Sequence, residues 1–249
     1  MHPVDTETAR ELMRQALDAV DVAELAAVAV DLDDKSAQFV RALEPAGLPT
    51  LDRAPLEAVL ARVFAVRGKA RDALQAIPVA AWRDPIANLL DGPGDPGDRL
   101  QGFAGWLDGA SPAALPDNLK ADLGSELLRF GRPDAHWLWS RWMWDPRTRT
   151  GSLPLLTSAG LDLRGSSLGD TYRRVGRAIA LVEGQRSEVG FDRLGQGRFT
   201  TEVFLAAVYV VYAYTVLKLR MTREFNKVMP ELPEFCRRLL GVHRRAPAR

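Results

Sequence analysis

The amino-acid sequence predicts a mainly α-helical, bundle-like protein built around a long, largely buried helix at about residues 200–227. Apolar residues recur every three or four positions over much of the 249-residue chain, and proline and glycine interrupt these periodic segments. Residues 203–217 are apolar on all sides, which is typical of a helix packed inside a core. The composition, 47% hydrophobic and 26% charged, excludes wholesale disorder and a collagen-like structure.

Three amphipathic helices are predicted near the N-terminus. Asp5 or Thr6 can cap the first, which ends near Val20. The second covers residues 22–43, and the third begins at about Pro55, where proline suits a first helical turn. We expect these helices to pack antiparallel with short polar turns between them.

The segment at residues 91–98, Asp-Gly-Pro-Gly-Asp-Pro-Gly-Asp, is the clearest interruption of the chain. Its glycine and proline content predicts a solvated loop without helix or strand. We predict an acidic helical subdomain at residues 1–90 and a basic one at residues 99–249. The alternative is a single domain in which 91–98 is a surface loop.

Further helices are predicted beyond this loop. One begins at Pro116-Asp117 and stops at Gly131, and another begins at Asp170 after a mostly irregular stretch at 145–169. The longest helix begins at Thr200, and Pro230 prevents its continuation beyond about residue 227. A short final helix is predicted at about residues 231–240.

The apolar stretch is too short to span a membrane. Residues 203–217 would form about 22 Å of helix, whereas a bilayer core is about 30 Å thick. The acidic N-terminus lacks the features of a signal peptide. We therefore expect no membrane span and a cytoplasmic location.

Tryptophan is concentrated in one segment, since four of the six lie within residues 137–144. We favour a short helix here, capped by Asp134. The alternative is a β-hairpin near 137–157, in which residues 137–144 pair with 152–157 across an Asp145-Pro146 turn.

In the helical interpretation, the tryptophans divide between two faces. Trp137 and Trp144 share one face with Arg141, while Trp139 and Trp142 lie opposite. One face can enter the core, and the other has the Trp-Arg composition of an interface hot spot. A helix enclosed on both sides is the alternative.

Charge is distributed unevenly along the chain. The formal net charge is +1, yet residues 1–125 carry 12 basic and 20 acidic residues, a net of −8, and residues 126–249 carry a net of +9. Such polarity indicates a protein partner, self-association, or attraction between the two halves of the chain; ordinary solvated surface on both halves is the alternative.

The predicted partner-binding surface combines the tryptophan segment with arginines that follow it. Its residues are Trp137, Arg141, Trp144, Arg147, Arg149, Arg173, Arg174 and Arg177. Arginine beside aromatic rings also suits single-stranded nucleic acid, which is the second functional hypothesis.

A third hypothesis rests on a G-x-S-x-G sequence at residues 165–169. Ser167, Asp192 and His243 follow the Ser-Asp-His order of α/β-hydrolases. The helical patterns before Ser167 disfavour this, because the motif requires a strand leading into a tight turn.

No cofactor or metal site is predicted. A single cysteine excludes a multi-cysteine zinc site, and there are only three histidines, of which His136 is expected at the surface. With no P-loop or dinucleotide fingerprint, the sequence favours a non-catalytic interaction or accessory protein.

Overall fold

The computed structural model describes residues 4–158, 161–220 and 230–242, which form twelve α-helices and no named β-strand. The helices in chain order are α1 (Thr6–Ala19), α2 (Val22–Ala42), α3 (Arg53–Leu60), α4 (Lys69–Gln75), α5 (Val79–Asp91), α6 (Pro96–Ala110), α7 (Asp117–Gly131), α8 (Leu153–Leu156), α9 (Leu168–Gly184), α10 (Arg186–Val189), α11 (Thr200–Arg220) and α12 (Leu232–Leu239). Short 3₁₀ turns lie at Leu48–Thr50 and Phe191–Leu194. The predicted mainly helical fold is therefore confirmed.

The chain divides into two compact units. The first unit contains Met1–Asp33, Trp142–Leu161 and Ala178–Arg249, and the second contains Asp34–Arg141 and Asp162–Arg177. Residues 91–98 lie inside the second unit, so the division predicted at that loop does not coincide with the boundaries between these units.

The sequence polarity largely disappears within each unit. The second unit holds 17 basic and 16 acidic residues, and the first holds 16 of each. Basic residues of the C-terminal half meet acidic residues of the N-terminal half: Arg237 Nε lies 2.7 Å from Asp31 Oδ2 in the first unit. Attraction between the two halves of the sequence is thus realised inside each unit.

Helix α11 forms the centre of the first unit. Its residues 200–208 are all buried, and α1, α12 and the 3₁₀ turn at Phe191–Leu194 pack against it. Phe204 stacks on Phe191 with ring centroids 4.3 Å apart. The extension predicted for residues 221–227 lies outside the described residues. Within the described part of the chain, no helix combines the length and apolarity needed to cross a bilayer.

Helices α5, α6 and α7 pack together in the second unit. The predicted helix beginning at Pro116-Asp117 is confirmed as α7, which is buried along most of its length. The buried residues include the charged side chains of Lys120, Asp122 and Glu126. A helix that buries charges must supply each of them with a partner, because an unpaired buried ion costs several kcal/mol.

The loop predicted at 91–98 is shorter than expected. Helix α5 ends at Asp91, and α6 begins at Pro96. The Asp95 side chain accepts a hydrogen bond of 2.7 Å from Gly97 N and so caps α6, with proline in its first turn. The prediction that no helix occurs in residues 91–98 is wrong for the first residue, Asp91, and for the last three.

The tryptophan segment is irregular, so the prediction of a helix at 137–144 is wrong. Neither 137–144 nor 152–157 is a strand; one isolated bridge joins Asp145 to Thr150, and another joins Thr157 to Val4. Two backbone hydrogen bonds of 3.0 Å, Ser152 N to Trp142 O and Leu153 N to Met143 O, reverse the chain direction there. The chain thus makes a turn at this position without the paired strands of a hairpin.

Candidate functional site

A buried ion pair connects three segments of the second unit. Lys35 Nζ on α2 lies 2.6 Å from Glu126 Oε2 on α7, and both side chains are buried. The other oxygen, Glu126 Oε1, accepts a hydrogen bond of 2.8 Å from Phe64 N, just beyond α3. Burial lowers the pKa of Lys35 and raises that of Glu126, while the opposite charge of the partner counteracts each shift. This pair therefore fixes α2 and the end of α3 on α7.

Two further buried side chains of α7 hold Trp139 and Arg141 in a non-helical conformation. Trp139 N donates to Ser125 Oγ at 2.5 Å, and Arg141 N donates to Asp122 Oδ1 at 2.9 Å. Arg141 Nε also donates to Asp122 Oδ2 at 2.7 Å. Burial raises the pKa of Asp122 to about 7, against the opposing effect of Arg141. In a helix these two backbone N–H groups would donate to carbonyl oxygens of the preceding turn. Here they donate to Ser125 and Asp122 instead, which favours the irregular conformation.

Trp137 is engaged by its own unit. Its ring stacks on Tyr172 with centroids 4.7 Å apart, Trp137 Nε1 donates to Tyr172 O, and the Tyr172 hydroxyl donates to Trp137 O. Gly176 on α9 leaves room for the indole, since an added Cβ would lie 2.1 Å from Trp137 Cε2. Trp137 is half-buried and contributes mainly to packing.

The other tryptophans of the segment are buried. Trp139, Trp142 and Trp144 expose 5%, 2% and 6% of their surface, respectively. The structure therefore gives these three rings no open face for a partner, in contrast to the expectation for Trp144.

The predicted arginines belong to both units. Arg147 and Arg149 are exposed in the turn between Asp145 and Thr150 of the first unit. The second unit contains Arg173, which pairs with Asp95 Oδ1 at 2.7 Å and with Asp98. It also contains Arg174, which lies 3.3 Å from Asp170, and Arg177.

Ser167 has the geometry of a helix N-cap. Asp170 N donates to Ser167 Oγ at 3.1 Å, and Ser166 N donates to Asp170 Oδ2 at 2.9 Å, so the two ends of the first turn of α9 cap each other. Residues 161–165 form no strand. Asp192 belongs to the other unit, and His243 lies outside the described residues.

His136 is buried, with 9% of its surface exposed, so the expectation of a surface histidine is wrong. Burial and the neighbouring Arg99 and Arg132 lower the pKa of His136 to about 4. In the described ranges, no group of three or more His, Cys, Asp or Glu residues is arranged to hold a metal ion.

A groove of about 310 Å³ opens between α2 and α3 of the second unit. Its apolar surface includes the buried Phe39 and Val59, together with Ala42, Pro55 and Ala58. Its polar lining consists of Gln38, Arg41 and Arg62. Among the described residues, no acidic side chain lines this groove.

This groove was not predicted from the sequence. Arg41 and Arg62 are 21 positions apart and belong to no motif, so no local pattern connects them. The only signal was indirect: Phe39 and Val59 lie on the apolar faces of two neighbouring predicted helices.

The comparisons with known proteins give no family assignment. No protein-family model, curated protein or solved structure matches this chain.

Proposed function

We propose that this protein is a non-catalytic interaction or accessory protein that docks a partner in the groove between α2 and α3. The observation that carries the proposal is the combination, in one concave surface of the described residues, of an apolar lining with two arginines and no carboxylate. The functional class is the one that the sequence favours, whereas the surface differs, because three of the four clustered tryptophans are buried.

The two arginines distinguish the groove from other basic positions. Arg41 is exposed and Arg62 half-buried, and among the described residues neither forms an ion pair. Arg53, by contrast, pairs with Glu57 on α3. The positive charge in the groove is therefore available to a partner, and such charges contribute to association rate and specificity.

The groove is supported from beneath. Phe39 packs edge-to-face on Phe130, with centroids 5.6 Å apart, and the Lys35 ammonium lies 4.0 Å from the Phe130 centroid. Glu126, which pairs with Lys35, also accepts a hydrogen bond from Phe64 N, just beyond the end of α3. A surface fixed in this way loses little conformational entropy on binding, which favours affinity.

Site-specific photocrosslinking tests the proposal. A photoreactive amino acid replaces exposed Ala58 in the groove, and a matched variant carries it at exposed Ala113, away from the groove in the same unit. Irradiation in native cells should give a discrete protein adduct at position 58 and not at 113. An adduct of twice the mass of the chain would make the partner a second copy, and equal labelling at both positions would refute docking in this groove.

A further inference from the structure

We infer that the groove between α2 and α3 recognises a short, acidic, amphipathic segment of a protein partner. The segment inserts a large apolar side chain against the accessible Ala42, Pro55 and Ala58, which lie above the buried Phe39 and Val59, and places carboxylates on Arg41 and Arg62. This inference rests on the proposed docking function and specifies the chemistry of the partner.

The size of the groove indicates what apolar group it can hold. A volume of about 310 Å³ is at the lower end of the range for ligand pockets, roughly 300–1,000 Å³. That volume suits one large side chain and its neighbours better than an extended surface. Two helices that flank an apolar groove also match the way in which amphipathic helices are bound, through one or two anchoring side chains.

The charged part follows from the polar lining. Arg41 lies in the last turn of α2, and Arg62 lies just after the end of α3. The C-terminal end of a helix carries the equivalent of about half a negative charge, which offsets only part of the positive charge of a guanidinium group. Among the described lining residues the charged side chains, Arg41 and Arg62, are both positive.

The combination of the two parts selects the partner. Guanidinium groups bind carboxylates with paired, charge-assisted hydrogen bonds. A phosphate backbone would satisfy the arginines but would place no apolar group against the accessible Ala42, Pro55 and Ala58. An acidic amphipathic peptide satisfies both surfaces together.

Selection from a random peptide library tests this inference. Phage displaying random peptides of about 16 residues are selected on the full chain, and clones that also bind an Ala58→Trp variant are removed. Ala58 is exposed, so the indole should block the groove without disturbing the core, which circular dichroism checks. We expect the remaining clones to combine a large apolar residue with Asp or Glu on either side.

The outcomes separate the inference from the proposed function. Groove-dependent clones that are neutral or basic would overturn the acidic partner and leave docking in the groove intact. The absence of any groove-dependent clone would overturn both. Displacement of an enriched peptide by single-stranded oligothymidylate would assign the arginines to phosphate and overturn the inference.

Charge-neutralising variants provide the second measurement. The Arg41→Gln, Arg62→Gln double variant should bind the enriched peptide at least roughly tenfold more weakly than the wild type. Arg53→Gln is the matched control: it also removes an arginine of this region, but Arg53 pairs with Glu57 and does not line the groove. The control should change affinity less than about twofold, and an equal loss in both would refute specific recognition by Arg41 and Arg62.

Discussion

The ion pair beneath the groove gives the sharpest test of how the second unit is held together. Lys35 and Glu126 expose 0% and 3% of their side chains, with Nζ and Oε2 2.6 Å apart. At an effective dielectric constant of about 20, the attraction at this distance is about 6 kcal/mol. Desolvation of the two ions costs several kcal/mol each, so the intact pair adds little net stability.

Removal of only one residue of this ion pair has a different effect on stability. In Lys35→Met the Glu126 carboxylate keeps its desolvation cost and loses the ammonium, so we expect unfolding free energy to fall by about 3–5 kcal/mol at pH 8. The pKa of Glu126 is already raised by burial and should rise further. Protonation of a carboxyl with a raised folded-state pKa stabilises the native state at low pH, so the variant should lose stability as the pH increases from 5 to 8.

The double variant Lys35→Met, Glu126→Gln serves as the control. The introduced amide has no charge but keeps an oxygen that can accept from Phe64 N, so most of the lost stability should return, and the additional pH dependence caused by the Glu126 carboxyl should disappear. Urea unfolding followed by circular dichroism at pH 5 and pH 8 measures both effects. A cost below about 1 kcal/mol for Lys35→Met, or a double variant no more stable than the single one, would refute the reasoning.

Three further predictions concern the surroundings of the tryptophan segment. The pKa of His136 is lowered to about 4, so the native state loses stability as the pH falls from 6.5 towards 4. Between pH 7.5 and pH 5, the unfolding free energy measured in urea should therefore fall by about 2 kcal/mol more for the wild type than for His136→Gln. Gly176→Ala places a methyl group against Trp137 and should lower the unfolding free energy by about 1–3 kcal/mol, measured by thermal unfolding. Gly184→Ala is the control on the same helix: its methyl group meets nothing within 4 Å and should not destabilise the protein. Ser167→Ala removes the cap of α9 and should lower the unfolding free energy by about 1 kcal/mol, while Ser167→Asp should keep the stability of the wild type. If a fluorophosphonate reacted with the wild type but not with Ser167→Ala, this purely structural role of Ser167 would be contradicted.

Local signals in the sequence located seven of the twelve helices of the described residues, and they missed α4, α5, α6, α8 and α10. Asp5 caps α1 as predicted, with Asp5 Oδ1 accepting from Thr8 N at 3.0 Å. Pro116 precedes α7, and α11 begins at Thr200. Such starts and stops depend on residues within one turn of each other, so the sequence suffices to find them.

The tryptophan segment shows where local reasoning fails. Its spacing is compatible with a helix, and tryptophan also favours strands, yet its conformation depends on Ser125 and Asp122. These side chains lie 14 and 19 positions away from the backbone groups they bind. No periodicity within 137–144 could reveal such acceptors, because they belong to another helix.

The sequence by itself determined that this protein is mainly helical, both ends of α1, α2, α7 and α12, and that the first half of the apolar stretch after Thr200 is buried. Only the tertiary structure decided that three clustered tryptophans are enclosed, that the opposed charges neutralise each other within each unit, and that Arg41 and Arg62 meet at an apolar groove. The physical reason is range. Caps and periodicity act within one or two helical turns, whereas burial and ion pairing depend on neighbours that distant parts of the chain supply.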